Sequence, residues 1–259
     1  MYDVKRIVAV YFSPTGNSKK YACAVAEALE ESFESLNFTK KEMREKEICF
    51  SKEDIVIFSA PVYAGRLPDI GLFENVKGEN TPAICIVTYG NRDYDDALLE
   101  LKNVCEQRGF HPIAAGAFIG EHTFSEFVGA DRPNEEDEIK IKQLAQYIKN
   151  CLKEDKWKER ELNVKGSYPY TCMPKKMPFA PQTNQRCCQC GSCVRKCPVG
   201  AIDKETIFTD VEKCIACFAC VKGCTRKGRS VDQPQYYALS EKLEKNLRYV
   251  DKEAELFFL

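Results

Sequence analysis

Two cysteine runs of identical spacing place the strongest constraint on the fold of this sequence. The first is Cys187-x2-Cys190-x2-Cys193-x3-Cys197, followed by Pro198, and the second is Cys214-x2-Cys217-x2-Cys220-x3-Cys224. Corresponding cysteines lie 27 residues apart, so the two runs form an internal repeat. Eight thiols at such short intervals are typical of a module that folds around metal.

The spacing is that of the bacterial iron–sulfur run, in which the fourth cysteine of each run binds the other cluster. Three thiolates in one tight loop take three corners of an iron–sulfur cube, and the fourth iron must be reached from elsewhere in the fold. We therefore predict two [4Fe-4S] clusters. Cluster I is assigned to Cys187, Cys190, Cys193 and Cys224. Cluster II is assigned to Cys214, Cys217, Cys220 and Cys197.

Two alternatives bear on these ligands. Structural zinc typically uses four ligands in two separated CxxC pairs, whereas this chain has two runs of four cysteines. Cys188 is adjacent to Cys187 and competes with it as a ligand, but ligation by Cys188 shortens the first spacer to one residue. The spacing favours iron–sulfur clusters, and it favours Cys187 over Cys188.

Length and composition bound the class of protein. The 259 residues exceed the usual size of one domain, so two domains of unequal size are expected. A net charge of -1 gives no support to nucleic-acid binding. No apolar run approaches the length of a membrane helix, and residues 1–12 do not resemble a secretory signal. Fifteen cysteines in such a chain indicate a reducing compartment, so we predict a cytoplasmic location.

Hydrophobic periodicity in the first part of the chain alternates between strand and helix. Apolar runs predict strands at 7–12, 55–60, 83–89 and 113–119, and more weakly at 36–39. Amphipathic patterns predict helices at 18–31, 93–108 and 134–152. This alternation predicts an α/β fold, a doubly wound parallel sheet of five strands in the flavodoxin-like order 2-1-3-4-5.

The remaining segments have different compositions. Residues 153–181 lose the periodicity and are rich in charge and proline, which predicts an extended linker. Residues 182–232 hold the cysteine runs and are expected to form a second, small α+β domain. An amphipathic pattern at 236–249 predicts a helix, and the final residues ELFFL are expected to pack back on a domain. The expected organisation is therefore a first domain at 1–152, a linker at 153–181, the cysteine domain at 182–232 and a helix with a tail at 233–259.

Three loops at the ends of predicted strands carry the candidate ligand-binding residues of the first domain. The loop after the first strand offers backbone N–H groups, hydroxyls and a helix N-terminus to a phosphate. It lacks the lysine of a Walker loop, and no GxGxxG motif is present. The loops after the third and fourth strands each bring a tyrosine and a glycine to the carboxyl end of the sheet. The candidate residues are Ser13, Thr15, Gly16, Asn17 and Ser18, then Pro61, Val62, Tyr63, Ala64 and Gly65, and finally Tyr89, Gly90, Asn91 and Arg92.

These residues resemble those of the flavodoxins over about residues 1–151. SPTGNS is similar to the flavodoxin loop for the FMN phosphate, and the loops at Tyr63 and Tyr89 are similar to the two that flank the isoalloxazine. The resemblance implies non-covalent FMN, with Tyr63, Tyr89 or both against the ring, and hydrogen bonds from Gly90 and Asn91 near N5 and O4. Residues 182–232 resemble the two-cluster bacterial ferredoxins, so the chain resembles the flavodoxin–ferredoxin fusion family of anaerobes.

This resemblance implies an intracellular, low-potential electron-transfer protein that relays electrons between FMN and two [4Fe-4S] clusters, to or from redox partner proteins. No residue is expected to act on a substrate as acid or base. One alternative is a flavin-dependent oxidoreductase that reduces a small acceptor or oxidises NAD(P)H, with the cysteine domain as electron entry or exit. Another is a flavodoxin fold that has lost FMN and serves for docking.

Overall fold

The computed structural model describes residues 4–259, with Asp155 and Lys156 described by their backbone alone. In chain order the elements are β1 (Arg6–Tyr11), α1 (Asn17–Leu29), β2 (Glu34–Asn37), α2 (Lys41–Arg44), β3 (Ile48–Phe50), β4 (Asp54–Pro61), β5 (Val76–Gly78), β6 (Thr81–Tyr89), α3 (Ala97–Gln107), β7 (Phe110–Ile119), α4 (Glu135–Lys153), a 3-10 helix (Asp155–Glu159), β8 (Gln182–Thr183), α5 (Ser192–Lys196), α6 (Ala219–Lys222), β9 (Arg229–Ser230), α7 (Pro234–Leu247) and β10 (Glu255–Phe258).

The main sheet has six strands in the order β10-β7-β6-β4-β1-β2. Its five strands from the first part of the chain are parallel and, counted in sequence, have the order 2-1-3-4-5. The predicted flavodoxin-like α/β fold is therefore confirmed. Three short elements escaped the prediction: α2, and the strands β3 and β5, which pair with each other in a separate sheet.

Both faces of the central strands are buried, which explains their apolar sequences. In β1, Val8 and Val10 pack with α3 on one face, while Ile7, Ala9 and Tyr11 pack with α1 and α4 on the other. Successive side chains of a strand point to opposite faces, so a continuous apolar run is needed when helices cover both. The result is three layers, with the carboxyl ends of the parallel strands open at one edge.

The chain returns to the first domain after the cysteine runs. β10 lies antiparallel to β7 at the edge of the main sheet, with Leu256 opposite Gly116 and Phe257 opposite Ala115. The expectation that ELFFL packs back on a domain is confirmed, and it does so as a sixth strand. The last strand is thus part of the main sheet, and the chain joins that sheet both before and after the cysteine runs.

Residues 154–181 form a strap along the first domain. Asp96 at the start of α3 accepts hydrogen bonds from the backbone N–H groups of Ser167, Thr171 and Cys172 at 2.9, 2.7 and 3.1 Å. The guanidinium of Arg66 lies 4.1 Å from the centre of the Tyr170 ring. These contacts hold a segment that has no regular structure beyond its one 3-10 turn.

Four aromatic rings join the parts of the chain. Phe124 from the loop after β7 packs on Phe218 of the second cysteine run at 5.0 Å and on Phe179 of the strap at 5.4 Å. Tyr236 of α7 packs on Phe179 at 5.5 Å and on Phe218 at 5.6 Å. The cluster fixes the cysteine module over the open edge of the sheet. Across residues 4–259, no helix is both long and apolar enough to cross a membrane.

Candidate functional site

A cavity of about 250 Å³ opens at the carboxyl ends of β1, β4, β6 and β7. Twelve of the fourteen residues predicted to bind FMN line it: Ser13, Thr15, Asn17, Ser18, Pro61, Val62, Tyr63, Ala64, Gly65, Tyr89, Gly90 and Arg92. Parallel strands end at the same edge of a sheet, and so loops that are distant in sequence meet there. Gly16 and Asn91 do not line the cavity.

The loop from Ser13 to Ser18 forms the cavity wall beside the N-terminus of α1. Gly16 precedes the helix at φ 102°, a conformation that favours glycine. The Ser13 hydroxyl accepts a hydrogen bond from Lys19 N–H at 2.9 Å, and the Ser18 hydroxyl lies 2.7 Å from that of Thr88. The loop is therefore held in place by its own side chains, with helix N–H groups directed toward one end of the cavity.

Asn91 has a different place from the one expected. Its side-chain amide donates hydrogen bonds to the carbonyls of Leu247 and Val250 at 3.2 and 2.7 Å, and the residue is buried. Asn91 thus fixes the end of α7 rather than facing the cavity. Sequence reasoning missed this role because the partners lie more than 150 residues away.

The two candidate tyrosines differ in how much of their ring faces the cavity. Tyr63 is half-buried and begins a tight turn in which Ala64 and Gly65 both have positive φ, at 51° and 87°. Tyr89 is only 4% exposed and packs on Tyr94 at 5.4 Å within the core. A flat ligand needs a ring with a free face, so Tyr63 is the better placed of the two.

Burial raises the pKa of Tyr63 well above its ordinary value, and the thiols of Cys217 and Cys214 add to the rise. The Tyr63 phenol is therefore neutral at physiological pH. Ile215 and Ala216, which lie between Cys214 and Cys217 in the sequence, line the same cavity as Tyr63.

The remaining wall comes from residues outside the fourteen candidates. Five apolar residues from the strap, the second cysteine run and α7 complete the cavity: Met177, Ile215, Ala216, Leu239 and Leu243. The loop after β7 adds residues 120–124. That loop also leaves the carboxyl end of a parallel strand, which is a signal available in the sequence, whereas the apolar wall depends on how the module packs.

His122 lies in the loop after β7 and lines the cavity. Burial, followed by the positive charges of Lys222 and Arg92, lowers the pKa of His122 to about 4. The imidazole is therefore neutral at physiological pH. Its Nδ1 accepts a hydrogen bond from Phe124 N–H at 3.0 Å, which leaves the Nε2 proton as the donor of this side chain.

A second cavity, of about 220 Å³, is lined by Cys187, Cys190, Cys193 and Cys224. These are the four residues assigned to cluster I, and three come from one run and one from the other. Backbone N–H groups of Gln189 and Gly228 donate to the sulfurs of Cys187 and Cys224 at 3.5 and 3.2 Å. The sulfurs that line this cavity accept hydrogen bonds from backbone N–H groups. Such hydrogen bonds stabilise thiolate ligands, so the cavity suits an iron–sulfur cluster.

Cys197 also lies near the cysteines assigned with it to cluster II. It packs in one apolar patch with Cys220, although it belongs to the other run. Ala216 N–H and Ala201 N–H donate to the sulfurs of Cys214 and Cys197 at 3.4 and 3.2 Å. This set is the more enclosed of the two, because Cys217 and Cys220 are buried while Cys190 is exposed.

Cys188 is exposed and lies at the rim of the cluster I cavity.

Within residues 4–259, no three His, Cys, Asp or Glu side chains are arranged to hold a single metal ion.

Comparisons with known proteins match both parts of the chain. A family model described as a flavodoxin domain matches residues 8–104, and one described as a 4Fe-4S dicluster domain matches residues 181–225. None of the curated proteins compared with the chain matches it.

Similar solved structures include a flavodoxin from the domain Archaea, with 15% identity and a TM-score of 0.41, covering 58% of this chain and 100% of that one. The flavodoxin of Streptococcus pneumonia TIGR4 has 19% identity and a TM-score of 0.38, with 56% and 99% covered. An NADH:FMN oxidoreductase in its apo form has 14% identity and a TM-score of 0.38, with 67% and 97% covered.

Proposed function

Because this chain joins a flavodoxin domain to a 4Fe-4S dicluster domain, as in a flavodoxin–ferredoxin fusion, we propose that it is an electron-transfer protein that relays electrons between FMN and two [4Fe-4S] clusters. One observation carries the proposal. Ile215 and Ala216, which lie between two cysteines of the second run, form part of the wall of the flavodoxin-domain cavity. The sites for the flavin and for one cluster therefore share a boundary within a single chain.

The residues of the first domain suit FMN. The loop from Ser13 to Ser18 is the seat for the phosphate, and Tyr63 supplies the ring face. The neutral His122 provides a further hydrogen-bond donor on the wall. When bound, FMN carries one or two electrons and each cluster carries one, so joining them connects one-electron and two-electron partners.

The burial of the cysteines supports an order along the relay. Ile215 and Ala216, between two cluster II cysteines, line the flavin cavity, and Cys217 and Cys220 are buried, whereas the cluster I cysteines reach the surface at Cys190. Cys193 of the cluster I set packs in one apolar patch with Cys197 and Cys220 of the cluster II set. We therefore place cluster II between FMN and cluster I, with cluster I as the port to solvent.

The surface around that port favours acidic partners. Arg186 and Arg226 are exposed at the rim of the cluster I cavity, and no Asp or Glu in the described part of the chain lines it. Between residues 182 and 232 the sequence has nine Lys or Arg and five Asp or Glu. Such a surface attracts a redox protein that carries carboxylates around its own centre.

The shape of the flavin cavity favours a carrier over an oxidoreductase that takes hydride from a nicotinamide. Hydride transfer requires a nicotinamide ring against a free face of the flavin. Leu239 and Leu243 of α7, with Met177 of the strap, cover one side of the cavity, and Tyr63 stands on its wall. These side chains restrict access for a second ring.

Anaerobic purification tests the proposal. We expect about eight iron atoms and about one FMN per chain, slow oxidation of NAD(P)H, and electron exchange between flavin and clusters at a rate independent of protein concentration. Zinc in place of iron, absence of flavin, or rapid NAD(P)H turnover would contradict the relay. Exchange that speeds up in proportion to concentration would contradict transfer within one chain.

The two tyrosines provide a sharper test of where the flavin lies. Tyr63→Leu is expected to weaken FMN binding by about tenfold, since a stacked ring contributes on the order of 1 kcal/mol beyond its buried area. Tyr63→Phe should bind as the parent does, because it keeps the ring. Tyr89→Leu is the matched control, with an expected loss of stability and little change in FMN affinity. Titration of the flavin-free protein with FMN measures all three, and equal weakening in the Tyr63 and Tyr89 leucine variants would refute the assignment.

A further inference from the structure

Arg229 of β9 carries a buried positive charge without an anionic partner. The residue is 3% exposed, and no ion pair involves it in the described part of the chain. Its Nη1 donates to the carbonyl of Ile207 at 2.9 Å, and its Nη2 donates to the carbonyl of Pro181 and the hydroxyl of Thr209. The Nε atom is buried with no hydrogen-bond partner.

An arrangement of this kind is unfavourable by itself. Moving a cation out of water carries a large desolvation cost, and neutral carbonyls offset only part of it. Buried charges in proteins are therefore paired with opposite charge or bound to metal groups. Two other arginines are buried: Arg132 forms an ion pair with Asp137, and Arg44 donates to the carbonyls of Phe38, Thr39 and Pro198. Arg229 is the most buried of the three, at 3% exposed against 8% for Arg44, and a nearby anion would offset its desolvation cost.

Arg229 lies close to cysteines of both runs. The residue lines the cavity of the cluster I cysteines, together with Cys187, Cys190, Cys193 and Cys224. Ile207, whose carbonyl accepts the hydrogen bond from Nη1, packs with Cys220, which is assigned to cluster II. Four thiolates and the cluster they hold carry net negative charge, and they supply the missing counter-charge.

We propose that Arg229 is a positioning residue that places a fixed positive charge between the two clusters and raises their reduction potentials, with the larger effect on cluster I, whose cavity it lines. The inference rests on the proposed function, because it requires both clusters. Reduction adds one electron to a cluster from an external donor, and no bond forms or breaks. The reduced cluster is one unit more negative, so a nearby cation stabilises it more than the oxidised cluster. Screening by solvent is weak at a buried site.

Redox titration of the complete, cofactor-loaded protein, followed by electron paramagnetic resonance, tests this role. Arg229→Gln is expected to make reduction of cluster I at least tenfold less favourable, a fall of about 59 mV for one electron. Arg226→Gln is the matched control: it removes the same charge from the rim of the same cavity, but its side chain is exposed. We expect a much smaller shift for Arg226→Gln, and one that salt suppresses.

Arg229→Lys tests the effect of the positive charge separately from that of the planar guanidinium. A lysine keeps the charge and loses the planar contacts to Pro181, Ile207 and Thr209. We expect full iron content and near-parental reduction potentials in Arg229→Lys. Cluster reduction that is tenfold or more less favourable in this variant would overturn the proposal, and this test holds even if Arg229→Gln binds iron poorly. Unchanged potentials in a fully loaded Arg229→Gln variant, or equal shifts in Arg226→Gln, would also overturn it. Failure of the parent protein to hold two clusters would instead refute the proposed function.

Discussion

A Cys197→Ala variant is expected to lose the cluster next to the flavin, although Cys197 belongs to the first cysteine run. In the structure Cys197 packs with Cys220 and does not line the cavity of the cluster I cysteines, whereas Cys193, four residues earlier, lines that cavity. Cys197→Ala should keep about four of about eight irons, keep FMN, and lose rapid electron exchange between flavin and iron. The exchange should fall to the rate of transfer between separate molecules.

Cys193→Ala is the matched comparison. It should also keep about half of the iron, but it should retain rapid flavin-to-cluster exchange because cluster II is intact. Cys188→Ala should keep both clusters. Flash reduction of the flavin under anaerobic conditions, combined with iron and sulfide analysis, measures each variant. The reverse pattern, with rapid exchange in Cys197→Ala and none in Cys193→Ala, would reverse the ligand assignment, and loss of all iron from both would contradict independent cluster sites.

The largest effect on stability is expected from Asp137→Asn. Asp137 is fully buried, and its carboxylate accepts hydrogen bonds from Nε and Nη2 of Arg132. The distance from Nη2 to Oδ1 is 2.7 Å. It also accepts from Asn134 N–H at 3.0 Å as part of a capping box at the start of α4. Removing one partner of a buried ion pair leaves the other uncompensated, so the free energy of unfolding should fall by about 3–5 kcal/mol.

Glu136→Gln provides the control for this prediction. Glu136 is in the same helical turn but is exposed, so its removal should cost less than about 1 kcal/mol. Urea denaturation followed by the fluorescence of Trp157, the one tryptophan in the chain, measures both variants. Equal losses would show that charge near the helix N-terminus, rather than the buried pair, stabilises α4. Arg132 also donates to the carbonyl of Lys252 at 3.1 Å, and Asp137→Asn should therefore loosen β10 as well.

Several features of the fold were predictable because they depend on neighbouring residues. The five parallel strands and their order follow from apolar runs that alternate with amphipathic helices. The cavity residues from Ser13 to Ser18 and from Pro61 to Gly65 follow from the rule that ligands bind at the carboxyl ends of parallel strands. Both features follow from the hydrophobic pattern of short segments and from the order of the strands.

Side chains whose partners are distant in sequence have surroundings that the sequence did not indicate. Asn91 follows a central strand, as expected of a flavin-binding residue, yet its amide binds the end of α7. Tyr89 is at the right edge of the sheet, but packing on Tyr94 leaves its ring little free surface. In each case a contact in three dimensions decides which way a side chain faces, and no local pattern records that contact.

By itself the sequence determined the cofactor chemistry and the sheet, since ligand spacing and hydrophobic periodicity are properties of short segments. The tertiary structure decided how these parts are combined. The aromatic cluster of Phe124, Phe179, Phe218 and Tyr236 and the return of β10 to β7 bring the second cysteine run over the flavin cavity. That arrangement depends on burying apolar surface from four separate segments at once, and it places the second cysteine run against the cavity at the carboxyl ends of the strands.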